Sequence, residues 1–147
     1  MWEQSEIERL HDAIYHRKSI RKFKSEPVAP EVLKDIMQKT KGLTALHSES
    51  KVVFRILSGN EVKATVKATG TVHHLVAYGT KNLEIFVNTA FMLQQMDLWL
   101  SAQGIGSWWR GAQPKPGFET ADGLPLESNQ ESISGKYEYI WTVHLKP

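Results

Sequence analysis

The apolar residues Ile7, Leu10 and Ile14 recur at intervals of three and four among polar neighbours, which predicts an amphipathic helix running to about Tyr15. Ser5-Glu6-Ile7-Glu8 reads as its capping box. Pro30 sits where a helix start tolerates proline, and Val32, Leu33, Ile36 and Met37 form a stripe that Gly42 ends, predicting a second helix of about three turns. The run Val52-Val53-Phe54-Arg55-Ile56-Leu57 predicts a strand over 51–58, and 72–78 reads as another, with a short helix expected over 60–68 between them. The longest periodic segment spans 83–103. Its Phe86, Val87, Ala90, Phe91, Leu93, Met96, Leu98, Trp99 and Leu100 cover more than one face, predicting a helix buried on most sides, either inside the domain or against a second subunit. Gly104 stops it as a C′ glycine, and 105–109 reads as a short strand. From Gly111 to about Gly135 the composition turns to Gly, Pro, Ser and acidic residues, an unusually long connection for a compact domain. The segment 137–146 alternates as a final strand, with Tyr139, Trp141 and Val143 on one face and Ile140, Thr142 and His144 on the other.

Composition narrows the class. The 147 residues, 41% hydrophobic, suit one domain over 1–147. Eighteen basic against sixteen acidic side chains leave +2, so any basic surface is local and no general nucleic-acid-binding excess exists. With no cysteine, disulfides, thiolate metal sites and thiol nucleophiles are excluded. The N-terminal residues are acidic and polar, and no run of about 18 apolar residues occurs, so neither an export signal nor a membrane span is expected and a cytoplasmic location is the simplest reading.

One local charge cluster stands out. Arg17, Lys18, Arg21, Lys22 and Lys24 follow the first helix directly, with Ser19 among them. In extended backbone Arg17, Ser19 and Arg21 share one side and Lys18 and Lys22 the other; two guanidinium forks and a hydroxyl suit a phosphate. A solvated basic turn fits the same spacing. The stretch together with the tryptophans also fits single-stranded nucleic acid, but the tryptophans fall mostly in apolar periodic segments, which favours the core. His73-His74 point to opposite faces of a strand and have no third ligand at a recognisable spacing, so no metal site is expected. Ser19 lacks a nucleophile elbow, so hydrolase chemistry has no support.

Taken in order, these pieces resemble the flavin-dependent nitroreductase family, in particular its short members. The family opens with a helix, an Arg-x-Ser-x-Arg clamp, an aromatic residue and a Pro-Val-x-x-Glu-x-Leu helix; here these are Arg17, Ser19 and Arg21, then Phe23, then Pro27-Val28-Ala29-Pro30-Glu31-Val32-Leu33. Its long helix ends in Gly-Leu-Gly-Ser/Thr, an aromatic residue and Gly, similar to Gly104-Ile105-Gly106-Ser107-Trp108-Trp109-Arg110-Gly111. The resemblance implies an α+β fold, a mixed β-sheet flanked by helices, with the long buried central helix in the interface of a homodimer that holds two flavin mononucleotide (FMN) sites. It further implies that Arg17 and Arg21 bind the FMN phosphate and ribityl chain, that Lys18 approaches the ring or ribityl oxygens, that Ser19 bonds the phosphate, and that backbone at Gly106 and Ser107 faces the flat ring. No side chain is expected to be catalytic; NAD(P)H would be the electron donor and a nitroaromatic, quinone or similar small molecule the acceptor, with Trp108 and Trp109 as candidates to line the slot. Where many members carry an Asn or Gln pair after the second helix to read the flavin, this chain has Leu43-Thr44-Ala45-Leu46-His47, and members often extend past the final strand with a further basic residue. These departures keep a second expectation in view, a non-catalytic dimeric flavin- or anion-binding module on the same fold.

Overall fold

The structure, a computed structural model, describes residues 2–20, 28–58, 62–64, 73–79, 83–110, 112–114 and 138–146. Helix α1 spans Gln4–His16, α2 Pro30–Thr40 and α3 Leu83–Ala102; strands β1 Val53–Ser58, β2 Val62–Ala64, β3 His73–Gly79, β4 Gly106–Arg110, β5 Ala112–Pro114 and β6 Glu138–Lys146 complete the order. The capping box of α1 lies two residues ahead of the expected one. Glu3 is the N-cap, and the Glu6 carboxylate accepts from its backbone N–H at 3.2 Å. In α2 the proline occupies the first turn, where its missing N–H costs nothing, and Ile36 is fully buried.

A four-stranded sheet runs in the order β1-β3-β6-β4, and β2 pairs with β5 in a separate ribbon. All of these pairings are antiparallel, where a mixed sheet was expected; the parallel character among the described residues is an isolated bridge between Ser19 and Ser107. The short helix expected over 60–68 is also corrected, since Val62–Ala64 is a strand facing Ala112–Pro114. That pairing joins segments about fifty residues apart, and such a non-local partner overrides weak local helix preference. Between Ala77 and Tyr78 the β3–β6 register slips, leaving Ile140 as an extra residue, so the regular alternation expected along β6 is broken there.

The core lies between α2, α3 and one face of the sheet. Val28, Ile36, Phe54, Leu75, Ala77, Met92, Leu93, Met96 and Leu100 form it, with Ile105, Trp99 and Trp109 packed against its edge. Helix α3 buries Ile85, Asn88, Thr89, Met92, Leu93, Met96, Asp97 and Leu100, a single stripe at helical spacing. On its other face Leu83, Phe86, Val87 and Phe91 are exposed, as are Ile7, Ile14 and Tyr15 of α1. Among the described residues no helix is long and apolar enough to cross a membrane.

Candidate functional site

The end of α1 and the end of α3 deliver the two sequence blocks to one place. At the first, the Arg17 N–H donates to the Ala13 carbonyl at 2.7 Å while Arg17 itself turns to extended backbone, ending the helix. The chain then runs beside β4, where the Ile20 N–H donates to the Ser107 carbonyl at 3.0 Å.

At the second, a Schellman motif reverses the chain. The Ile105 N–H reaches the Leu100 carbonyl at 2.9 Å and the Gly104 N–H the Ser101 carbonyl at 3.0 Å, with Gly104 at φ 76°. A left-handed turn of this kind favours glycine, and Ile105, next in line, packs against the core. Gly106 therefore starts β4 directly beside the basic segment.

Asp97 connects the two. Its carboxylate is 1% exposed; Oδ2 accepts from Arg17 Nη1 at 2.8 Å, and Oδ1 accepts from the Ser107 hydroxyl. Arg17 Nη2 also donates to Ser19 Oγ at 3.4 Å, a long contact that keeps the two side chains on one side of the strand. The result is a cleft of about 190 Å³ whose lining includes Arg17, Lys18, Ile20, Gly104, Gly106 and Ser107.

Of the residues expected from sequence, Arg17, Lys18, Gly106 and Ser107 line that cleft together, and Ser19 is exposed beside it. Arg21 lies outside the described residues, as do Phe23, Pro27, Gly111 and most of 112–135. Ser107 is 3% exposed with its hydroxyl committed to Asp97. What it offers the cleft is main chain. Trp109 packs against the core, one of the two roles weighed for it.

Two buried or half-buried amides of α3 hold the segment after α2. Asn88 Oδ1 accepts from the N–H groups of Leu46 (2.9 Å) and His47 (3.4 Å), while its Nδ2 donates to the carbonyls of His47 (3.2 Å) and Ser50 (3.0 Å). Gln95 brackets Thr44 in the same way, accepting from its N–H at 3.1 Å and donating to its carbonyl at 2.7 Å. Sequence reasoning passed over Asp97 and Asn88. The signal was present, because each is a polar residue on the buried stripe of an otherwise apolar helix, where it must find partners.

Residues 9–125 match the protein family described as "Putative TM nitroreductase". The chain belongs to this nitroreductase family. No curated protein matches it. Among solved structures, the chain is similar to a nitroreductase from Desulfitobacterium hafniense with bound FMN, at TM-score 0.65 and 15% identity over 99% of this chain and 89% of that one. It is similar also to a nitroreductase family protein from Clostridium novyi, at TM-score 0.62 and 16% identity over 93% and 83% of the two chains. A Thermotoga maritima nitroreductase shares 20% identity and TM-score 0.59, this chain covering 47% of its length. At such identities the likeness is one of fold.

Proposed function

We propose that this member of the nitroreductase family is an FMN-dependent oxidoreductase that passes electrons from NAD(P)H to a nitroaromatic, quinone or similar flat acceptor. The observation that carries the reading is the convergence of Arg17 and Lys18 with the Gly104–Ser107 backbone on one cleft. The donor set fits the phosphate end of the cofactor. Lys18 is exposed, and of the five N–H donors of a guanidinium Arg17 uses two among the described residues, for Asp97 and Ser19. Ser19 adds a hydroxyl beside them, and Arg21, which continues the clamp in sequence, is a further expected contact.

A volume of about 190 Å³ lies below the roughly 300–1,000 Å³ of small-molecule sites, so the cleft suits a phosphate and the adjoining ribityl chain, with the flat ring needing another wall. A second copy of the chain would supply it. The uncovered apolar residues Phe86, Val87 and Phe91 of α3, with Ile7, Ile14 and Tyr15 of α1, support a homodimer. When bound, FMN supplies the redox chemistry, moving electrons from the nicotinamide to the acceptor. The chain's own part is to hold the anion, to bring main chain at Gly106 close to a flat ligand, and to keep β4 fixed through Ser107. No side chain need act as acid or base.

The test is turnover. Protein supplied with FMN and NAD(P)H is expected to reduce a nitroaromatic or quinone, followed as loss of reduced nicotinamide, and to sediment as a dimer. FMN binding without turnover on any such acceptor would overturn the enzymatic reading in favour of a non-catalytic flavin- or anion-binding module. The observation favouring that second reading is the segment Leu43-Thr44-Ala45-Leu46-His47, which stands where many members of the family carry an Asn or Gln pair that reads the flavin.

A further inference from the structure

We propose that Asp97 is a positioning residue of this site: its buried carboxylate sets the Arg17 guanidinium for the phosphate of the cofactor and couples that setting to Ser107 on β4. The inference rests on the FMN reading above.

The geometry has three parts. Asp97 is 1% exposed and Arg17 22%, so the pair spans from the interior to the wall of the cleft, with the carboxylate inside and the guanidinium at the lining. Each carboxylate oxygen has a different partner, Arg17 Nη1 for Oδ2 and the Ser107 hydroxyl for Oδ1, so one side chain fixes both blocks of the site relative to α3. The Ser107 carbonyl in turn accepts from Ile20 N–H, three residues beyond Arg17, closing a loop of contacts around the cleft.

Stability alone gives little reason for this arrangement. A buried ion pair is commonly no better for stability than apolar side chains of the same volume, and the Asp97 position lies on a stripe with Leu93, Met96 and Leu100, where such a side chain would pack. What the pair does provide is direction. An arginine side chain has many rotamers, and a planar fork anchored at one nitrogen by a charge-assisted bond presents its remaining donors in a fixed plane. An anion in the cleft then meets an arginine already ordered, and the ordering entropy is not charged against binding.

Charge and position predict opposite signs. Removing Asp97 raises the net charge beside the cleft by one, which by Coulomb attraction alone tightens an anionic ligand; loss of positioning loosens it. FMN and riboflavin, which lacks the phosphate, separate the effects. Their dissociation constants are measured by flavin fluorescence for the wild type, Asp97→Leu, Asp97→Asn, Arg17→Ala and Arg17→Ala/Asp97→Leu. Asp97→Leu is expected to weaken FMN about tenfold or more and riboflavin by much less, and to have no further effect once Arg17 is gone. Asp97→Asn keeps the volume and carries the test should the leucine variant fail to fold; its preference for FMN over riboflavin is expected to fall in the same direction. Equal losses for both ligands would reduce Asp97 to a structural residue, and tighter FMN binding would mean that charge outweighs position; either result overturns the proposal. A wild type that binds no FMN overturns the FMN reading itself, and that is seen before any variant is compared.

Discussion

Replacing Asn88 with alanine removes the bracket between α3 and the segment 46–50. Asn88 is fully buried, and its amide makes four hydrogen bonds, three between 2.9 and 3.2 Å and one at 3.4 Å. Counting the three well-formed bonds at about 1 kcal/mol each gives a loss near 3 kcal/mol. Water moderates it, since Leu46 and His47 are exposed and their backbone groups can be rehydrated once released, while the small cavity left under the segment adds a little back. A net loss of about 2–4 kcal/mol follows, roughly 6–12 °C in Tm for a domain of this size. Thermal and urea denaturation measure the total, and amide hydrogen exchange localises it: the Leu46 and His47 amides are expected to lose protection while the core strand β3 changes only with global stability. A loss below about 0.5 kcal/mol, or unchanged exchange at Leu46, would refute the reasoning, because the amide would then be replaceable by solvent at no cost.

Three further outcomes are expected. Gly104→Ala forces a side chain into a left-handed turn at φ 76° without any steric clash around its Cβ, so a loss of about 1–2 kcal/mol in denaturation is expected, with Gly104→Asn costing less. The hydrogen bond from Lys39 Nζ at 2.6 Å, with the Glu3 backbone next, holds the Glu6 carboxyl below its ordinary range; a lowered carboxylate stabilises the fold above its unfolded pKa and ceases to as pH falls through the folded one. Wild type and Glu6→Gln are therefore expected to differ by about 0.5–1 kcal/mol at pH 7 and low salt, and to converge as pH falls below the ordinary carboxylate range. Burial pushes the His73 imidazole down, so the neutral form is favoured in the fold, and stability is expected to fall as pH drops below about 6.5; His73→Gln should flatten that slope in a pH series of urea titrations.

Local pattern announced the helices well because their signals are local. The stripe Val32, Leu33, Ile36 and Met37 and the glycine at 104 need no distant partner to be read, and both stand in the structure as expected. Partnerships made across the chain were less legible. Val62–Ala64 became a strand because Ala112–Pro114 lies beside it, and the antiparallel order β1-β3-β6-β4 depends on which strands meet. The site divides along the same line. Arg17, Lys18, Gly106 and Ser107 could be picked out by residue type, yet the carboxylate that joins Arg17 to Ser107 sits 80 residues from one and 10 from the other. An isolated Asp on a buried helical stripe marks such a junction, and its partner is a cation that only the tertiary fold can name.

The cleft between Arg17, Lys18 and the Gly104–Ser107 backbone is proposed to hold the phosphate end of FMN. Titrating the cofactor-free protein with FMN, in parallel with Arg17→Ala/Lys18→Ala, and following flavin fluorescence tests it most directly. Saturable binding by the wild type, weakened at least about tenfold by the double substitution, is the predicted result; no binding by the wild type, or equal binding by both proteins, would contradict it.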